Sequence, residues 1–310
     1  MSLPTGVPDL NKPDFSSGGA GQITFPIFTT MMLERYYAIS HVVDITNTDY
    51  NGTGILNHGD KIVVHRDPQV TIQPYVRNQR IVPTNPDIEP DEMYIDHGLV
   101  YAISMEYVTK RQIDLPYVDR CLSSVPKLMN ITISLDVVNY MSTQMDSQNQ
   151  GAAAGLDSTY DLGTVGAPVI WNSSTCLRLI TIMNAVLAEQ NIPEGDRFVL
   201  LPSWAVLEIQ NSGMNSFIFT GDQSNATLRK GSIGKIAGMT IYTSAHLPKS
   251  GGTVAVIFGT SSATSFVTQY TLNDKVMDPY TLSDIHRGLQ VYGRKAFQPV
   301  GIGTMYIKAS

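Results

Sequence analysis

Charge is scarce in this chain. Asp, Glu, Lys and Arg make up 15% of its 310 residues, against roughly 25% in an average soluble protein. A monomer with so little charge must cover its surface with Ser, Thr, Asn and Gln, or bury part of it against neighbours. Interface cores are depleted in charge, so the composition favours an obligate oligomer. The charge present sums to −6. That excludes a domain whose own affinity for phosphate carries its function, since such domains are usually basic. Cysteine is scarcer still. Cys121 and Cys176 make neither a disulfide framework nor a metal site, and both sit in apolar helical patterns, as buried reduced thiols do. No apolar run approaches the roughly 20 residues that span a bilayer, so no membrane partner is expected. The stretch MSLPTGVPDLNKPDFSSGGAGQ lacks the basic start and apolar core of a secretory signal.

Signatures of catalysis are missing too. Histidines fall at 41, 58, 65, 97, 246 and 286. None is paired at a ligand spacing such as HExxH, and each reads as a surface or satisfied core residue. GTSSATS at 259–265 does not fit the GxSxG of a serine nucleophile, and no glycine-rich phosphate loop occurs. NTDYNG begins like a calcium loop, with Asn47, Asp49, Asn51 and Gly52 in suitable places. The position that needs a bidentate Glu is His58, so the segment reads as a plain turn. No catalytic residue, cofactor or metal is expected, and the chain reads as a non-enzyme.

What the chain does hold is 43% hydrophobic residues, enough for a sizeable core. Residues 1–24, rich in Pro, Gly and Ser, cannot bury enough apolar surface to offset their ordering entropy and read as an arm. Phe25, Phe28, Met32 and Tyr36 then recur at helical spacing. From Asp44 to Tyr107 the pattern is β. GDKIVVHR and PQVTIQPYV predict short strands. QRIVPTNPDIEPDEM carries Pro83, Pro86 and Pro90 and cannot be a helix or a central strand. LVYAISMEYV alternates at Leu99, Tyr101, Ile103, Met105 and Tyr107, which predicts the returning strand. The result is a long two-stranded projection with an irregular tip. An isolated hairpin is marginal in water, so this one is expected to lie on a neighbour. Its charges divide: Arg66, Arg77 and Arg80 precede the tip, and Asp87, Glu89, Asp91, Glu92 and Asp96 lie on the tip and return. Complementary patches fix register between partners. Arg66, Arg77, Arg80, Asp87, Glu89, Asp91 and Glu92 are therefore the candidate inter-subunit residues.

A long helix is predicted within 115–148, with Pro126 marking its first turn or a kink. Leu128, Ile131, Leu135, Val138 and Met145 form its expected packing stripe. In the second half, SSTCLRLITIMNAVLAEQ reads as a helix with Cys176, Ile180, Met183 and Leu187 on one face. RFVLL is a buried strand, and PSWAVLEIQNSG a helix closed by Gly213. SIGKIAG reads as turns, while AGMTIYTS, TVAVIFG, SFVTQY, LQVYGRKAF and TMYIKAS are strands. Clustered strands and helices of this kind predict an α+β fold.

Taken in order, several stretches resemble the major capsid proteins of tailed bacteriophages, the Hong Kong 97-type fold. They are RYYAISHVVDITNTDYNGTGILNHGDKIVVHR, LVYAISMEYVTKRQIDLPYVD, LAEQNIPEGDRFVLLPSWAVLEI, LRKGSIGKIAGMTIYTSAHLP and HRGLQVYGRKAFQP. Their order and spacing, more than any one of them, carry the likeness, which runs from about residue 25 to the end. The resemblance implies an N-terminal arm at 1–24 and an arm helix at 25–47. An extended loop follows at 48–108, then a peripheral domain with its spine helix at 109–169, an axial domain at 170–290 and closing strands of the peripheral domain at 291–310. It implies self-assembly as pentamers and hexamers into an icosahedral virion shell, made in the host cytoplasm and enclosing double-stranded DNA. A portal and a separate scaffolding protein are implied partners, with room for a decoration protein. An encapsulin-like bacterial nanocompartment shell protein is the alternative with the same fold. Some capsid proteins cross-link through a lysine of the extended loop. No lysine lies between Lys61 and Lys110, so non-covalent burial is expected to hold this lattice. The acidic balance suits a container, because a strongly basic wall would trap the densely charged duplex.

Overall fold

A computed structural model of the chain describes residues 40–50, 61–65, 72, 74, 77, 90–107, 117–212 and 232–309. All lie in the compact unit Tyr37–Ser310; the other unit is Met1–Tyr36. The arm, the helical pattern from Phe25 to Tyr36 and Gly213 fall outside the described residues. In chain order the elements are α1 (Val42–Ile45), β1 (Lys61–His65), β2 (Pro90–Tyr94), β3 (His97–Glu106), α2 (Tyr117–Met141), β4 (Val169–Trp171), α3 (Cys176–Glu189), β5 (Arg197–Leu201), α4 (Ser203–Asn211), β6 (Ser232–Ile236), β7 (Met239–Thr243), β8 (Lys249–Ser250), β9 (Thr253–Thr260), β10 (Thr264–Met277), β11 (Ser283–Ala296) and β12 (Ile302–Ala309). The fold is α+β.

The larger sheet runs β4-β12-β9-β5-β7-β6, with β8 on the side of β9. RFVLL and TVAVIFGT are near-continuous apolar runs, and every residue of β5 and β9 is buried. Strands covered on both faces read this way. β5 and β7 are parallel, so the chain must cross over between them, and α4 lies on that connection. Cys176, Ile180, Met183 and Leu187 of α3 are all buried, on the face the spacing predicts. Trp171 fills the same core and donates its indole N–H to the Ala205 carbonyl at 3.0 Å. SIGKI, expected as turns, is instead the strand β6. The turn is confined to Ala237 and Gly238, both at positive φ, and it closes a hairpin with β7.

The second sheet runs β10-β11-β3. β10 and β11 form one long hairpin, paired from Thr264 opposite Ala296 to Met277 opposite Asp284, with a register shift between Tyr270 and Leu272. β3 pairs with β11, His97 opposite Tyr292 and Glu106 opposite Ser283. Its alternation was read correctly, but its partner was not: LVYAISMEYV does not return against β1. The strand that does is β2, His65 opposite Pro90 and Lys61 opposite Tyr94. Pro90 sits at the strand's first residue, where proline is tolerated. Ile72 and Pro74 of the expected PQVTIQPYV strand are not assigned to a strand; its other residues lie outside the described set. The strands also divide differently from 170–290 and 291–310. Residues 264–296 join β3, and the final strand β12 joins β4 and β9.

α2 begins at Tyr117, so Pro126 is interior and does not mark the first turn. Its inward face is Val125, Met129, Ile133, Val137, Val138 and Met141, all buried. Of the expected stripe only Val138 is buried. Ile131 and Met145 are half-buried, while Leu128 and Leu135 are 45% and 41% exposed. Both rows repeat at helical spacing, and tertiary packing selects the other one. Met145 lies past the helix end, where Asp146 caps the turn Ser147–Asn149. Cys176 is buried, but Cys121 is half-exposed, and both are free thiols. Counted as a helix, Cys121–Met141 is long and apolar enough to cross a membrane. It carries Lys127 and Asp136, however, and packs its inward face into the core.

Candidate assembly interface

The β1–β2 ladder, the described part of the expected projection, packs on its own chain. Met93 and Ile95 are buried with Val267 and Val291 in a small separate cluster, flanked by Tyr50, Ile62, Leu289 and Phe297. The contact is close because Gly293 of β11 has no side chain. A Cβ there would stand 2.7 Å from the Tyr94 carbonyl oxygen and 3.2 Å from the Ile95 side chain. Lys295, two residues on, salt-bridges Asp91 and donates to the Glu92 carbonyl at 2.7 Å, with its ammonium 5.6 Å from the Phe297 ring centroid. Glu92 accepts from Lys61 at 2.6 Å and from the Tyr94 hydroxyl at 2.5 Å. The Lys61 hydrogen bond, then that of Tyr94, holds the Glu92 carboxyl below its usual range. Asp91 and Glu92 were expected to reach another subunit. Both are engaged within their own chain, by Lys295 and Lys61. Arg77 is exposed; Arg66, Arg80, Asp87 and Glu89 lie outside the described residues.

A second polar contact fixes α2 to the β10-β11-β3 sheet. Asp136 salt-bridges Arg294 and accepts from the Tyr292 hydroxyl at 2.9 Å. The Arg294 guanidinium lies 4.7 Å from the Tyr140 ring centroid. Burial, then the Asp136 hydrogen bond, pushes the Tyr292 phenol up to about 12. Charges withdrawn from water need such partnering. The composition gave no sign of this cluster, since its members lie far apart in sequence.

The far end of the β10–β11 hairpin is different. Lys275 salt-bridges the buried Asp284 at 2.9 Å, and Tyr107 donates to the same carboxylate at 2.8 Å. Beyond them the turn is held by Asp278, which accepts from the Tyr280 N–H at 3.0 Å and from the Thr281 hydroxyl at 2.5 Å. This hydrogen-bonded turn presents Met277, Tyr280 and Leu282 to solvent, Tyr280 at 93% and Leu282 at 75% exposure. Sequence reasoning did not single out DPYTLSD. Its Asp-Pro start and isolated aromatic are the signal that marks it. Apolar side chains carried on a hydrogen-bonded turn suit an interface anchor.

Among the described residues no three His, Cys, Asp or Glu side chains gather as a metal site. Asn47 and Asp49 form a turn, the Asp49 N–H donating to Asn47 Oδ1 at 2.8 Å.

No protein-family profile matches the chain, and no curated protein matches it. Solved structures do. The capsid structure of the cyanophage P-SCSP1u superposes with a TM-score of 0.67 at 13% identity, covering 99% of this chain and 100% of that one. Mycobacterium phage Che8 gives 0.65 at 17% identity, covering 92% and 98%. The cyanophage Pam1 capsid asymmetric unit gives 0.65 at 11% identity, covering 96% and 99%.

Proposed function

We propose that this chain, which has the α+β Hong Kong 97-type capsid fold, is the major capsid protein of a tailed bacteriophage. In this reading it self-assembles as pentamers and hexamers into the icosahedral shell around a double-stranded DNA genome, and it acts as a structural protein without an enzymatic role. The observation that carries the reading is end-to-end likeness: nearly the whole chain matches nearly the whole of each phage structure. The charge balance supports it, because a wall of net charge −6 does not hold densely charged DNA in place.

Assembly then draws on two surfaces. One is the projection whose described strands are β1 and β2, aimed by the Gly293 contact and the Lys295–Asp91 pair. The other is the apolar turn at Met277, Tyr280 and Leu282, which a second copy covers. Each contact is individually weak, and the closed lattice makes them strong together. A portal and a separate scaffolding protein complete the particle, with room for a decoration protein on its surface. Electron microscopy of the expressed full chain tests the reading. Closed shells of uniform diameter are expected, and a persistently monomeric chain would overturn it. Particles recovered with enclosed protein cargo and no DNA would point to an encapsulin-like compartment instead.

A further inference from the structure

The β10-β11-β3 sheet has two outer edges, and they are built differently. The β10 edge is blunted along its length. Asn47 bridges its start, donating to the Thr264 carbonyl at 2.8 Å and accepting from the Phe266 N–H at 3.0 Å. A register shift between Tyr270 and Leu272 interrupts it, and Asp274 and Lys275 charge its far half. Bulges and charged side chains are devices by which proteins keep a strand edge from pairing with another chain. The β3 edge lacks them. Its 10 residues pair with β11 without a register shift, and between His97 and Glu106 it carries no proline and no charged side chain. The Tyr107 N–H donates to the Leu282 carbonyl at 3.1 Å. In an unbroken antiparallel ladder that bond sets the phase. The odd-numbered residues of β3 turn their backbone groups to β11, and Gly98, Val100, Ala102, Ser104 and Glu106 turn theirs outward. Among the described residues no strand meets these outward groups. The same residues are exposed, Val100 at 73%.

We infer that β3 is a strand-addition site: an extended segment of a second copy of this chain docks along 98–106 and continues the sheet. The outward N–H and C=O groups supply main-chain hydrogen bonds, which carry the affinity in recognition of this kind. The occupant is another copy because the free edge runs up to Leu282. It is therefore continuous with the exposed turn of Met277, Tyr280 and Leu282 that a second copy covers, and this choice rests on the assembly reading above. The low charge of the whole chain, 15% of residues, points the same way, since interface cores are depleted in charge.

Hydrogen exchange of the assembled full chain tests it, resolved to single amides by mass spectrometry. In the assembly the outward amides of Val100, Ala102 and Ser104 should exchange as slowly as the inward ones of Tyr101 and Ile103, at least roughly tenfold below the rate of an open amide. Ala102→Pro supplies a second readout. Proline is tolerated on a strand edge where the N–H it removes faced solvent, so the urea midpoint of the variant should stay close to that of the wild type. Its particle yield should fall at least roughly tenfold, because the ring takes away a donor that the added strand needs. If the variant fails to fold, the wild-type exchange pattern decides alone. Particles whose outward amides exchange at the open rate, or folded Ala102→Pro that assembles at normal yield, would overturn strand addition and leave the capsid reading standing. Small oligomers with protected outward amides would keep strand addition and sink the shell. A chain that stays monomeric would overturn both.

Discussion

The two larger sheets of this molecule treat their apolar residues in opposite ways. In the sheet built on β5 and β9, both central strands are buried end to end, and even Arg197 of β5 is buried with hydrogen-bond partners. In the β10-β11-β3 sheet the near end is buried and tied down by Gly293, Lys295 and Arg294. The far end holds Met277, Tyr280 and Leu282 in water. One sheet is complete within a single chain. The other leaves apolar side chains exposed at its far end, where the proposed assembly would cover them. Stability and assembly are thus assigned to different residues of one compact unit, and mutations should separate them.

The largest effect should come from the complete sheet. Phe258→Ala, at a fully buried position, should cost roughly 3–5 kcal/mol, read as a lower midpoint in a urea melt of the full chain. Asp136→Ala leaves the Arg294 guanidinium half-buried without its carboxylate. It should cost about 2–3 kcal/mol, read from the same melt. Gly293→Ala forces a methyl against the Tyr94 carbonyl and should cost roughly 1–3 kcal/mol, with particle yield falling more than the melting midpoint because the root of the projection is displaced. The pair Tyr280→Ala, Leu282→Ala should sharpen the contrast most. It should move the chain's own stability by less than about 0.5 kcal/mol, yet lower the yield of closed shells at least tenfold. If shells formed at the normal yield, the tip would be ordinary surface. The smallest effect is alkaline. The Tyr292 phenol is raised to about 12, so its contribution is whole below the unfolded tyrosine value near 10. That contribution is lost as pH climbs from there towards 12, so the melting midpoint should decline across that window and less so in Tyr292→Phe.

Much of this was legible in the sequence. The buried face of α3 was read residue by residue, and the runs of β5, β9 and β12 carry their own burial in their composition. Local order gave the α+β class and the capsid likeness. Choices that depend on a distant partner were not legible. The alternation of β3 marks a strand but not which strand it joins, and β11 supplies that answer from the other end of the chain. α2 has two apolar rows of equal period, so spacing alone cannot choose Val125–Met129–Ile133–Val137 over Leu128–Leu135. Asp91 and Glu92 looked like charges seeking another subunit because the lysine that takes Asp91, Lys295, is remote in sequence.

The most direct test is a cryo-electron microscopy map of the assembled particle at side-chain resolution. The account predicts that Tyr280 and Leu282 are covered by another copy, and that the projection rooted at Tyr94 and Gly293 reaches a neighbour. A map in which the hairpin turn stays bare, or the projection folds onto its own chain without touching another, would contradict it.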